Sequence, residues 1–362
     1  MIRIAIAILA VLTGAAGTAG ADTIRVAVYN AQLDRNGPGL LLRDILEDDP
    51  QVAAAVRVIA AAEADILLLL RFDYDLGGAA LAAFADRLAA AKRPYPHRFA
   101  LRPNSGMAGA QDRDGDGRTR GARDAQGYGR FAGQNGMALL SVFPIDAAAA
   151  RDFSAMLWRD LPGATLPQHP DGRPFPSAAA QADQRLFSTA AWDVPVILPG
   201  NRRLSILTFH ATPPVFDGPE DRNGLRNADE LRFWTLLLDG ALDRTPPAAP
   251  FVLVGNANND PRFGAGHGPA IRALLDHPAL QDPAPTSAGA AATGRPFATV
   301  DWAAEVAEGN LRVDYVLPSV DLRVAGAGVA WPAPGPDAEA LLGPDGRAAS
   351  RHRVVWADIA VP

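Results

Sequence analysis

The sequence predicts a layered α/β domain with two β-sheets. Strand-like runs outnumber helical periods, and the residues able to do chemistry fall at the ends of those runs. The connections are long and rich in Gly, Asp and Pro, with no repeat and no interdomain linker. We expect one domain over residues 22–362, with irregular loops at about 103–135 and 159–183.

Thr23–Tyr29 (TIRVAVY) alternates and is β-branched, which predicts a strand. Ala53–Ala64 has helical periodicity and leads into Asp65–Leu70 (DILLLL), an apolar run of the kind buried on both faces of a sheet. Gly78–Lys92 reads as a second helix, and Met137–Phe143 as a strand stopped by Pro144. Further strands are expected at Trp192–Leu198, Leu204–His210, Pro250–Val254, Leu311–Leu317 and His352–Ile359. Helices are expected at Asn227–Leu238 and Gly268–Asp276.

The 362 residues are 48% hydrophobic and 20% charged, enough apolar material for a sizeable core. The formal net charge of −6 argues against global attraction to nucleic acid or to an acidic membrane surface. The absence of cysteine excludes disulfides, thiolate metal sites and Cys nucleophiles. Lys92 is the only lysine, so nearly every basic residue is Arg, a bias that reads first as genomic composition.

Met1–Ala21 has the form of a secretory signal peptide. Arg3 supplies the basic start, Ile4–Leu12 the apolar stretch, and Ala19-Gly20-Ala21 a small-x-small cleavage site before Asp22. It is too short to span a bilayer, and no other stretch reaches 18 uninterrupted apolar residues. A periplasmic or extracellular product is therefore expected.

The polar residues at strand ends form an ordered set. Asn30 follows the first strand, Arg71 the DILLLL run, and His210 ends LSILTF. Asn256 and Asn258 follow FVLVG, Asp314 sits in LRVDYVLPS, and Ser350-Arg351-His352 precede the last strand. Rigid sheets commonly present catalytic groups in this way. With the stretches YNAQL, ADILLLLRFDYD, GQNGMALLS, WRDLPGA, WDVPV, FHATPPVFDGPEDRNGLRN, LVGNANNDP and SRHRVVW, this set resembles the endonuclease/exonuclease/phosphatase superfamily, the deoxyribonuclease-like metal-dependent phosphoesterases. The likeness runs from about Ile24 to Ile359 and is nearest to an exported bacterial branch. It implies a four-layer sandwich, two packed β-sheets flanked by helices.

The resemblance also implies a mechanism. A Mg²⁺ or Mn²⁺ ion held by carboxylates polarises the phosphate, an Asp activates water, and an Asn and two His residues bind the phosphate oxygens. Here Asn30 matches the Asn near the metal, His210 the first His, and Asn258 the Asn of the G-D-x-N motif. Asp314 and His352 match the orienting Asp and second His.

Three positions depart. Arg71 stands where the family has its metal-ligating Glu, Asn256 where it has the water-activating Asp, and Arg351 where an Asp neighbours the metal. Lesser departures are Thr189-Ala190-Ala191, in place of Lys-Ser-His, and Asn135, where a Tyr is common. Two carboxylate seats have become cationic. A bare dication within about 5 Å of two guanidiniums is repelled by several kcal/mol even at an effective dielectric of ~20. Arg cannot shed its proton, and an amide is no base at neutral pH. Loss of the base alone typically costs ~10²–10⁴ in rate.

Three readings follow. One is a catalytically degenerate member whose Arg71 and Arg351 clamp a phosphate-like anion without metal. In that reading the competing fate of each Arg is an internal ion pair with Asp73, Asp75 or Asp260. The second is an active phosphoesterase with a metal site relocated to Asp73 and Asp75, two and four residues after Arg71 and on its face if the strand continues. The third is an exported interaction protein whose pocket has no role. Separately, Asp112, Asp114 and Asp116 open a D-x-D-x-D-G pattern able to hold Ca²⁺, but an EF-hand would need Glu where Arg123 stands. Trp192, Trp234, Trp302, Trp331 and Trp356 are read as packing residues.

Overall fold

The computed structural model describes residues 23–303 and 306–360. The expected signal peptide, Met1–Ala21, lies outside them. Eleven strands and eight α-helices are present among the described residues. In chain order they begin with β1 (Thr23–Leu33), α1 (Leu40–Leu46), α2 (Pro50–Ala62), β2 (Ile66–Phe72), α3 (Ala79–Ala90), β3 (His97–Phe99), β4 (Gly136–Ser141) and β5 (Arg151–Asp152). Next come α4 (Ala178–Asp183), β6 (Ala191–Leu198), β7 (Arg202–His210), α5 (Arg222–Leu238), β8 (Phe251–Asn256), α6 (Gly268–Leu275) and α7 (Ala288–Ala292). The last are β9 (Asp314–Pro318), β10 (Arg323–Val329), α8 (Pro336–Leu342) and β11 (Val355–Ala360).

One sheet has the order β10-β11-β1-β2-β4-β3, the other β5-β6-β7-β8-β9. Their facing sides share one core, in which Val26, Val28, Leu68 and Leu70 meet Val194, Ile206, Val252 and Val254. The outer side of the first sheet, with Ala27, Tyr29, Leu67 and Leu69, packs under α2 and α3 through Val52, Val58, Ile59 and Phe84. The outer side of the second, with Leu207, Phe209 and Leu253, packs under α5 and α6 through Leu231, Trp234, Ile271 and Leu274. The layers are therefore helix, sheet, sheet, helix, as expected. The continuous apolar run in β2 follows directly, since alternate leucines face two different cores.

The topology gathers the polar strand ends at one edge. β1 and β2 run parallel, as do β7 and β8, so Asn30, Arg71, His210 and Asn256 all sit at C-terminal ends. β9 runs antiparallel to β8 and starts there, with Asp314 opposite Asn256. β11 runs antiparallel to β1, placing His352, three residues before it, at the same end.

Five sequence expectations need correction. The strand expected from His352 begins at Val355, and the helix expected from Asn227 begins at Arg222. The strand expected from Leu311 begins at Asp314, because Val313 and Asp314 give their N–H groups to the Thr299 hydroxyl. β10 was not foreseen; RVAGAGV is too small and glycine-rich to read as a strand, yet it pairs with β11. β2 stops at Phe72, and Arg71 already has a left-handed φ of 54°, so Asp73 and Asp75 do not continue its face.

Candidate active site

A cavity of about 890 Å³ opens at the shared edge of the two sheets. Asn30, Arg71, His210, Asn258, Arg351 and His352 line it together. Asn256 and Asp314 stand directly behind, fully buried. Every family-matched position is thus brought to one place.

The centre of the support is Asp314. Its Oδ1 accepts from Asn256 Nδ2 at 2.7 Å. Its Oδ2 accepts from the Thr299 hydroxyl at 2.9 Å and from His352 Nδ1 at 2.9 Å. This fixes the His352 ring with Nε2 away from the carboxylate. Trp302 stands edge-on to that ring, centroids 5.5 Å apart at 87°. Trp302 packs against Val300, Leu311 and Val313, as expected, and its half-buried ring also lines the cavity, so it forms part of the site wall. The final segment is held to β1 by the Ser350 hydroxyl, which donates to the Asn30 carbonyl at 2.6 Å and accepts from the His352 N–H at 3.0 Å. The backbone N–H of Arg351 donates to Gln32 Oε1 at 2.9 Å.

Asn258 has a left-handed φ of 48°. Its N–H donates to Asn256 Oδ1 at 2.8 Å and its side-chain amide to the Ala211 carbonyl at 2.8 Å. Asn256 is therefore used at both ends, as donor to Asp314 and as acceptor from Asn258, which locks the amide orientation. His210 is buried, and its Nδ1 has no hydrogen-bond partner. Burial first, then the Arg71 charge and His352, push the His210 imidazole down to about 3.

Arg71 forms an ion pair with Asp34 at 2.7 Å, on the chain just past β1. The partner is none of the three acids expected from the sequence. Asp34 reaches this position through irregularity at the end of β1, where the pairing with β2 shifts between Asn30 and Leu33 and Gln32 has a φ of 51°. The Nε of Arg71 is buried without a partner, as is Asn30 Oδ1.

Asp73 and Asp75 do not form a relocated metal site at this cavity. Asp73 accepts the N–H groups of Arg35 and Asn135 at 2.8 and 3.0 Å, and Asp75 accepts those of Ala79 and Ala80 at the start of α3. Both face a separate, neighbouring cavity. Burial raises the Asp73 carboxyl to about 6, against the lowering effect of those two N–H groups. Asp260 is likewise committed to backbone, accepting from Arg262, Phe263 and Arg312.

The residues present do not fit a Mg²⁺ or Mn²⁺ ion held as the family holds it. A hard dication needs free carboxylate oxygens, whereas Arg71 and Arg351 line the cavity, Asp34 beside them is engaged by Arg71, and Asp260 on the same lining accepts backbone N–H groups. Asp112, Asp114 and Asp116 do approach one another, with one oxygen from each within 4.8 Å. They also serve their own loop: Asp112 accepts from Gly115 and Gly117, and Asp116 from Arg118.

Residues 27–352 match the Endonuclease/Exonuclease/phosphatase family, and the chain belongs to it. Among solved structures it is similar to an endonuclease/exonuclease/phosphatase from Beutenbergia cavernae DSM 12333, at 18% identity over 94% of this chain and 72% of that one, with a TM-score of 0.55. It is similar to a family protein from Leptotrichia buccalis C-1013-b, at 13% identity over 93% and 100% of the two chains, TM-score 0.51. It is also similar to sphingomyelinase C from Streptomyces griseocarneus, at 18% identity over 93% and 99%, TM-score 0.50. At these identities the likeness is one of fold. No curated protein matches the sequence.

Sequence reasoning missed Asp34, Thr299 and Trp302. Each lies in an irregular segment with no periodicity to flag it, and only the fold brings it to the motif residues.

Proposed function

We propose that this chain is an exported, catalytically degenerate member of its family, whose cavity binds a phosphate-type anion without metal and does not hydrolyse it. The observation that carries the reading is the Arg71–Asp34 pair at 2.7 Å in the seat of the metal-ligating carboxylate. A guanidinium braced from behind by a carboxylate is oriented for an anion in front, and it excludes a cation. The phosphate-facing donors of the family, His210, Asn258 and His352, are kept on the same wall. Asn256 cannot take a proton from water, and its amide is already committed to Asp314 and Asn258.

Calorimetric titration of the full chain with inorganic phosphate tests the binding half, with Arg71→Gln and Arg351→Ala as comparisons. Heat in the wild type that weakens in both variants supports it, and equal, negligible heats refute it. Turnover of an aryl phosphodiester in Mg²⁺, Mn²⁺ or Ca²⁺ would refute the non-hydrolytic half. Export is checked by the N-terminus of the mature protein, expected at Asp22.

A further inference from the structure

The floor of the cavity is polar, whereas its mouth carries exposed apolar side chains among polar ones. Five of the eight large apolar side chains exposed among the described residues line this one cavity: Tyr128, Val215, Phe216, Phe263 and Val306. They come from four separate stretches of chain, so no single loop sequence accounts for their convergence.

Two of them are held in place by neighbouring arginines. Phe216 is 75% exposed and has a left-handed φ of 71°, a conformation that a bulky aromatic residue adopts only under constraint. The constraint is visible: its carbonyl accepts from the Arg123 guanidinium, across the mouth. Phe263 is 44% exposed, and the Arg295 guanidinium lies 3.5 Å from its ring centre, fixing one face of the ring. An apolar collar above a cationic floor is complementary to one kind of small molecule, a charged head with an apolar group behind it.

We infer that the cavity takes an anionic amphiphile, a phosphate monoester of a long alkyl chain, with the phosphate at the Arg71–His210–His352 floor and the chain against Phe216 and Phe263. This rests on the anion-binding reading above and adds what that reading leaves open, the group carried by the anion. Each methylene buried against the collar should tighten binding about fourfold.

The test compares inorganic phosphate, octyl phosphate and octyl glucoside on the full-length chain, and on a Phe216→Ser, Phe263→Ser double variant. The expected result is that octyl phosphate binds the wild type at least about tenfold tighter than inorganic phosphate. The double variant should lose that advantage and keep its affinity for inorganic phosphate, which also reports that it is folded. Equal affinity for the two phosphates in the wild type would overturn the amphiphile assignment and leave anion binding standing. No binding of either would overturn both. Octyl glucoside binding as tightly as octyl phosphate would overturn the anionic head. A wild-type dimer in solution, converted to monomer by the double substitution, would make the collar an interface between copies and overturn the proposal.

Discussion

Asn256 donates its side-chain amide to Asp314 at 2.7 Å, with Asp314 fully buried and also accepting from Thr299 and His352. Asn256 presents a donor to Asp314, so the support behind His352 does not contain two adjacent carboxyls. An amide at this position is no base and makes no like-charge contact with Asp314.

An acid at this position should therefore be destabilising. Asn256→Asp sets a carboxylate about 3 Å from Asp314 and removes a hydrogen-bond donor, at an expected cost of about 1–3 kcal/mol at pH 7.5. The loss should shrink at pH 5, where the pair can share a proton. Urea unfolding at both pH values checks it, and an identical loss at both would mean that charge is not the cause.

How far this site could be read from sequence depends on the element. β2 was legible because five consecutive apolar residues need two buried faces, and its end marked Arg71. The order of motif residues then located Asn30, His210, Asn258, Asp314 and His352. Asp34 was not legible, because it is delivered by irregularity in β1 that no residue pattern announces. The sequence also suggested that Asp73 and Asp75 share a face with Arg71; the left-handed turn at Arg71 itself prevents this. The arginine bias of the composition concealed one more point. Arg71 and Arg351 look like ordinary members of an arginine-rich chain until the sheet places both on the wall of one cavity.

On the function proposed above, a metal seat calls for carboxyl groups at all three departing positions. A triple variant, Arg71→Glu, Asn256→Asp and Arg351→Asp, supplies three carboxyl groups and releases Asp34 from its guanidinium partner. Its melting temperature should rise by several degrees on adding Mg²⁺, since a ligand at ~100 times its Kd stabilises the folded state by about 2.7 kcal/mol. The wild type should show no such rise. A Mg²⁺-induced rise in the wild type would remove the basis for a metal-free pocket.

Another part of the cavity wall depends on Arg226. Its Nε donates to the Leu186 carbonyl at 2.8 Å, and one terminal nitrogen to those of Gln126 and Arg185 at 2.7 and 2.8 Å. Glu230, one turn along α5, accepts the N–H groups of Ser188 and Thr212. Burial raises the Glu230 carboxyl, and the Arg226 charge is the main influence opposing this. Arg226→Met removes three hydrogen bonds to backbone carbonyls and the charge that offsets Glu230, which should cost at least about 1–3 kcal/mol. Adding Glu230→Gln should recover part of that loss in urea unfolding. No recovery would assign the whole cost to the lost carbonyl contacts.

The pH dependence of stability should carry two opposed contributions from neighbouring cavities. The His210 imidazole is lowered from 6.5 to about 3 in the folded protein. Between those values the unfolded chain holds a proton that the folded one does not, so stability falls as pH drops, by a few kcal/mol over the whole window. The Asp73 carboxyl is raised from 3.8 to about 6. Between those values the folded protein holds the extra proton, so stability grows as pH drops, again by a few kcal/mol. From about pH 6 to 4 the two offset each other, and the wild type should lose little stability to this pair. Below about pH 4 only His210 still acts, and the loss should steepen. Asp73→Asn removes the offset and should expose a continuous decline starting near pH 6.5. His210→Asn should do the reverse and make the protein more stable at pH 4 than at pH 6, relative to wild type. Urea unfolding of the three proteins across pH 3–7 reads these slopes. Parallel curves for all three would mean that neither group titrates differently in the folded chain, and would take with them the argument that Arg71 and burial hold His210 neutral beside the anion site.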